Sequence, residues 1–201
     1  MPKPLTTALS IAALAATLTA GGCRCGGGSA VPGDVRAGLG VDAAPGEKAP
    51  PLELTALDGT KVSLAGLEGQ VVAVNFWATW CPPCREEMPS MIALGKELAA
   101  RHPGKFKMVA VSVDEKPDAV RDYLRQPPFG GDTGGVVVAM DTRDQATTTA
   151  FYCAARGGCP DDYKLPETYI VDASGRLVGY VVGPRDWSTP EARAYFEALL
   201  R

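Results

Sequence analysis

A largely apolar run, Val71-Val-Ala-Val-Asn-Phe-Trp77, leads within four residues into Cys81-Pro-Pro-Cys84. Met88, Met91, Ile92, Gly95 and Leu98 then recur at helical spacing. A short run of this kind, rich in β-branched and aromatic residues, reads as a strand covered on both faces. The chain must therefore build a doubly covered sheet and set its cysteine pair where a central strand ends and a helix begins. There, unsatisfied backbone N–H groups and the helix dipole favour a thiolate at Cys81. Cys84 lies one turn inward, near enough to close a disulfide and better shielded. Cys81 can attack a substrate disulfide and Cys84 can resolve the mixed disulfide that results. A bare CxxC also serves as a structural disulfide or as half of a Cys₄ zinc site. The placement after a buried strand, with Trp77 and Trp80 in front, favours redox chemistry. A thiol peroxidase normally carries Thr or Ser three residues before its reactive Cys, where this chain has Ala78. Pro82 and Pro83 have no backbone N–H, which leaves a thiolate at Cys81 with fewer donors and predicts a more reducing pair.

The rest of the chain alternates strand and helix patterns. Residues 52–57 and 61–64 alternate apolar and polar around Asp58-Gly59, a hairpin signal. Phe106 to Val113 and Val136 to Met140 read as buried strands, and 117–125 and 144–152 as helices. Thr168–Val171 and Leu177–Val182 flank the turn Asp172-Ala-Ser-Gly175. A helix from Pro190 to Leu200 ends the chain, with Ser188 or Thr189 as its cap. The pattern predicts an α/β domain: a central mixed sheet, helices on both faces and an N-terminal β-hairpin. Pro89 predicts a kink in the helix after the cysteines. His102 reads as a surface residue at a helix C-terminus, and Asp114, Asp141 and Asp172 as turn residues. The 201 residues suit one domain plus a tail. A net charge of −3 argues against a generally basic nucleic-acid surface. His102 is the one histidine, which argues against His-rich metal sites, a HExxH protease and Cys–His catalysis.

The first 22 residues read as a secretory signal: Lys3, then the uncharged apolar stretch 5–20, slightly short for a membrane span of about 20 residues. Gly21-Gly22-Cys23 resembles a bacterial lipoprotein processing site, with Cys23 the lipidated residue. Ordinary cleavage after Ala20 and an uncleaved anchor are the alternatives, and all place the domain outside the cytoplasm. Residues 23–47, rich in Gly, Ala and Pro, read as a flexible linker in which Cys25 is incidental, with the folded domain over 48–201.

The segment Phe76-Trp-Ala-Thr-Trp-Cys-Pro-Pro-Cys-Arg-Glu-Glu-Met-Pro89 resembles the active-site segment of TlpA/ResA-like thiol–disulfide oxidoreductases. These are extracytoplasmic, membrane-tethered members of the thioredoxin superfamily, and they include the cytochrome c maturation thioredoxins. The resemblance covers roughly residues 48–201. It implies a thioredoxin-like fold and a catalytic pair, Cys81 and Cys84. It matches Pro89 to the family's helix-kinking proline. Leu165-Pro166-Glu167-Thr168 is similar to the family's cis-proline segment, in which the backbone before the proline pairs with an extended substrate. Trp80, Pro82, Pro83, Leu165 and Pro166 become the substrate-binding candidates. Glu87 matches a family glutamate near the cysteines. It could exchange protons with Cys84 or raise the thiol pKa values by like-charge repulsion, the alternative being a solvated helix charge.

The resemblance implies reduction of disulfides in client proteins, such as apocytochrome c, with an upstream membrane thiol reductant restoring the pair. It implies no cofactor and no metal, and a monomer is expected. A disulfide-donating oxidase uses the same residues, and a metal- or haem-handling protein with the cysteines as ligands is the rival from another class. Cys153 and Cys159 stand six positions apart across Gly157-Gly158. In an oxidising compartment they are expected to form a structural disulfide, with a second redox pair or a metal site as alternatives. Closing so short a loop constrains the unfolded chain by about 2.4 kcal/mol on the loop-entropy model.

Overall fold

The computed structural model describes residues 1, 31–142, 144–159 and 164–201. Cys23, Cys25 and the expected signal segment beyond Met1 lie outside the described residues. The described chain opens with α1 (Gly33–Leu39) and β1 (Asp42–Ala43), then the hairpin β2 (Glu53–Ala56) and β3 (Lys61–Ser63). There follow β4 (Val71–Trp77), α2 (Pro82–Arg101), β5 (Phe106–Ser112), α3 (Pro117–Arg125) and β6 (Val137–Met140). The chain continues with α4 (Ala146–Arg156), β7 (Glu167–Val171), β8 (Leu177–Val182) and α5 (Pro190–Leu199). Among the described residues these strands form one sheet in the order β1-β8-β7-β4-β5-β6-β2-β3. Parallel pairing is confined to β4–β5 and β5–β6; β7 runs antiparallel beside β4.

β4 shows why an apolar run makes a central strand. All its residues are buried, and they alternate between two cores. Val71, Ala73 and Trp77 face one core with side chains of α1, α2, α3 and α5. Val72, Val74 and Phe76 face the other with Phe151 and Ala155 of α4. The polar Asn75 sits on the first face, which places it under α2. Each fully buried large apolar side chain contributes roughly 1.5–3 kcal/mol, so this strand anchors both layers. Helices thus cover both faces and the hairpin precedes the central strands, as the sequence predicts.

The segment read as a linker differs from that reading. Val31, Leu39 and Val41 are buried in the α5-side core, and β1 pairs with β8 through Asp42 and Tyr180. Val35 and Leu39 lie four apart, which gives this short helix one apolar face. Gly40, in the left-handed conformation at φ 69°, caps it. The Gly/Ala/Pro background of the segment hides that stripe. The ordered domain therefore includes residues from 31 onward. Three smaller differences follow from tertiary partners. α4 runs on through Cys153 to Arg156. Buried Asp141 accepts hydrogen bonds from the N–H and hydroxyl of Thr148, tying down the start of α4. His102 is half-buried, with Nε2 3.0 Å from Glu197 Oε2.

Gly179 of β8 is where the N-terminal segment presses closest. A Cβ there would lie 2.7 Å from Val41 Cγ1 and 2.9 Å from the Tyr195 hydroxyl. Gly179→Ala is expected to lower stability by about 1–3 kcal/mol through overpacking, read by urea unfolding. Gly33→Ala, with nothing within 4 Å of its new Cβ, is the neutral control.

Candidate active site

α2 starts with Cys81 as its N-cap, and prolines fill the next two positions. An N-cap side chain accepts from the second or third helical N–H. Pro83 removes the second, so the donor to Cys81 Sγ is Cys84 N–H, at 3.3 Å. Cys81 and Cys84 are joined as a disulfide, with Cα atoms 5.3 Å apart. Cys81 is 5% exposed and Cys84 0% exposed, so the first cysteine is the more reachable of the two. The approach to the helix is held from β5. Asp114 Oδ2 accepts from Thr79 N–H (2.9 Å) and Ser112 Oγ (2.7 Å), and its Oδ1 accepts from the Thr79 hydroxyl (2.5 Å). Asp114 is thus a buried brace on the cysteine turn, more than the turn residue its sequence suggests. Trp80, next to it, is 66% exposed, and Pro82 is exposed beside it.

Cys84 and Glu87 are three apart on α2 and so share a face. Glu87 is only 3% exposed, which the sequence left open. Three donors from two separate segments, β4 and the connection between β8 and α5, meet its carboxylate. Asn75 Nδ2 donates to Oε1 at 2.8 Å. Arg185 N–H and Trp187 Nε1 donate to Oε2 at 3.0 and 3.2 Å. Burial raises the Glu87 carboxyl to about 7, against the downward pull of those hydrogen bonds and of the Arg185 charge. A carboxyl balanced near neutrality suits proton exchange at physiological pH. α2 runs through Pro89. The carbonyl that Pro89 cannot serve, that of Arg85, accepts instead from the Tyr123 hydroxyl of α3 at 3.4 Å.

The Leu165–Pro166 peptide bond is cis and opens β7. Pro166 is buried and its carbonyl accepts from Gly183 N–H at 2.9 Å. Asn75 Nδ2 also donates to Thr168 Oγ1 at 2.9 Å, so one amide links α2, β4 and β7. On the opposite face of β7, Glu167 meets Arg156 of α4. Cys153 and Cys159 are bonded to each other, with Cα atoms 4.3 Å apart. Among the described residues no group of three or more His, Cys, Asp or Glu side chains converges on a metal position.

Sequence reasoning missed Asn75, Thr168, Arg185 and Trp187. Asn75 carried a signal, a lone polar side chain in an otherwise apolar buried strand. Arg185 and Trp187 carried none, since they reach Glu87 across 98 and 100 positions of chain.

This arrangement, a buried strand delivering a CxxC to a helix start with a cis-proline opening the neighbouring strand, defines a thiol–disulfide exchange centre on a thioredoxin-like fold. The Redoxin family profile matches residues 44–199, and the chain belongs to that family. It is 35% identical over 144 residues to the thioredoxin-like protein YneN of Bacillus subtilis, covering 69% of this chain and 71% of that one. It is 32% identical over 139 residues to the thiol-disulfide oxidoreductase ResA of Bacillus anthracis, covering 69% of each. The fold matches the crystal structure of a thiol:disulfide interchange protein of the thioredoxin family from Chlorobium tepidum, with a TM-score of 0.60 and 33% identity. That match covers 78% of this chain and 98% of the other. The protein is a ResA-like thiol–disulfide oxidoreductase with Cys81 and Cys84 as its active-site pair.

The position of Glu87 makes stability depend on pH. Between pH 4.5, its ordinary value, and about 7, the folded protein keeps a proton on Glu87 that the unfolded chain has lost. Stability contributed by this group is therefore complete below the lower value and declines as pH rises through the upper one. The decline is at most about 1.4 kcal/mol per pH unit within that window. Urea unfolding of the oxidised protein at pH 5 and pH 8 is expected to show this loss, and Glu87→Gln to remove it. An equal loss in both proteins would mean that Glu87 titrates normally.

Proposed function

We propose that this oxidoreductase reduces disulfides in client proteins outside the cytoplasm, tethered to the membrane by a lipid on Cys23 or by an uncleaved anchor. The observation that carries the proposal is the order along the start of α2: an outer sulfur with one amide donor, then a fully buried sulfur sharing its helix face with Glu87. In the reduced protein the Cys81 thiolate attacks one sulfur of the client disulfide and the other sulfur leaves as a thiolate. The Glu87 carboxylate takes the proton of the Cys84 thiol, whose sulfur then attacks Cys81 Sγ. The client's second sulfur leaves as a thiolate. The Cys81–Cys84 disulfide is regenerated, and Glu87 returns one proton to the departing dithiol. Two electrons have passed to the client, and an upstream membrane thiol reductant restores the pair.

Two features support the reducing direction and a protein client. Pro82 and Pro83 strip amide donors from around Cys81, which leaves its thiolate less stabilised and the dithiol a stronger reductant. Exposed Trp80 and Pro82, with Pro83 behind them and Leu165-Pro166 opening β7, offer an extended chain both apolar contact and a strand end. Secreted proteins with paired cysteines, apocytochrome c among them, are the client class that the family resemblance suggests.

Cys81→Ser is expected to abolish reductase activity. Cys84→Ser is expected to accumulate clients covalently held on Cys81, identified by mass spectrometry after non-reducing electrophoresis. In the reduced protein Cys81 should be alkylated by iodoacetamide well before Cys84. The reverse order of alkylation would overturn these roles.

A further inference from the structure

Glu167 follows cis-Pro166 directly and is 1% exposed. A carboxylate so deeply buried needs charged or hydrogen-bonding partners. Arg156 Nη2 donates to its Oε1 at 2.8 Å, and the Tyr169 hydroxyl donates to its Oε2. The guanidinium is itself held from several sides. It lies 3.9 Å from the centre of the Tyr152 ring and 4.8 Å from that of Tyr180. Its Nη1 reaches the Tyr152 carbonyl and the Tyr169 hydroxyl, each at 3.3 Å. None of these groups takes part in the exchange at Cys81 and Cys84. They sit on the other face of β7 from Asn75 and Glu87.

Arg156 is the last residue of α4, and helix ends fray unless something holds them. Here the next turn is closed twice. Gly157 and Gly158 N–H both donate to the Cys153 carbonyl. The Cys153–Cys159 disulfide then locks the seven-residue ring that contains Arg156. Cys153 is half-buried and Cys159 exposed. Glu167 in turn pairs in register with Phe76 of β4 and Val182 of β8. A chain of contacts therefore runs from the bridge through Arg156 and Glu167 to the strand start that carries Leu165-Pro166.

We propose that Arg156, held in place by the Cys153–Cys159 ring, is a positioning residue for client binding: by pinning Glu167 it fixes the cis-proline wall on which an extended client lies. The proposal rests on the reading above that this segment receives the client. The bridge serves that geometry and does not turn over. Loss of the pin leaves the sulfur chemistry intact and loosens the wall, so its signature is a change in KM with kcat preserved.

The test compares Arg156→Gln, Arg156→Lys and the double variant Cys153→Ala, Cys159→Ala with the unaltered protein. Two substrates are used, a short disulfide-bridged peptide and a small aromatic disulfide. For Arg156→Gln the peptide KM is expected to rise about tenfold, which corresponds to about 1.4 kcal/mol of binding, with kcat unchanged. The double cysteine variant should move in the same direction by about threefold. Arg156→Lys, which keeps the charge and loses the planar fork, should fall between Gln and Arg. Rates on the small disulfide should stay within about twofold throughout. An unchanged peptide KM in Arg156→Gln, or equal losses on both substrates, overturns the proposal. If Arg156→Gln does not fold, the double cysteine variant decides by the same criterion. Failure of the unaltered protein to reduce the peptide through Cys81 would instead overturn the functional reading itself.

Discussion

Burying a lone carboxylate costs several kcal/mol, so a fold that hides Glu87 must bring polar partners to it. It brings Asn75 from the central strand and Arg185 and Trp187 from the connection between β8 and α5. Those contacts decide much of the architecture. Asn75 also holds Thr168, and so docks β7 beside β4 one residue past Glu167. Arg185 reaches the other way: its Nε donates to the Leu39 carbonyl at 3.1 Å, tying the N-terminal segment to the residue whose amide serves Glu87. The N-terminal segment is thereby fastened to the active site through Arg185.

On the roles proposed above, the same interaction lets one short helix start carry two thiols with different tasks. The dipole and the Cys84 amide favour charge at Cys81, while burial disfavours charge at Cys84. A resolving thiol in that position needs a nearby group that can take its proton at neutral pH. A solvated glutamate would be ionised but too weak a base. Desolvation raises the Glu87 carboxyl to about 7, and the hydrogen bonds keep it from rising further. The donors that make burial tolerable thus also set the carboxyl's working range.

Local features of the site were legible in the sequence because they depend on neighbours along the chain. The run 71–77 had to be a doubly covered strand, and Cys81-Pro-Pro-Cys84 had to cap the helix after it. Glu87 stands out in the sequence through family resemblance alone, and its burial depends on β4 and on the loop before α5. The cis bond at Pro166 was foreshadowed only by resemblance, since the residues around it carry no local signal for it. The N-terminal segment was misread because composition outweighed a short apolar stripe at Val31, Val35, Leu39 and Val41, whose partners lie in α5 and β8. Nothing local marks Arg156 and Glu167 as partners; only the tertiary packing of α4 brings the half-buried guanidinium onto the buried carboxylate.

The central claim, that Glu87 is a carboxyl held near neutrality to serve the thiol pair, is tested most directly by titrating it. Protein labelled with ¹³C at glutamate side-chain carboxyls, compared with Glu87→Gln to assign the resonance, reports its protonation by NMR from pH 3 to 9. The account predicts a midpoint near 7 in the oxidised protein. A midpoint near 4.5, the ordinary value for a glutamate, would contradict it.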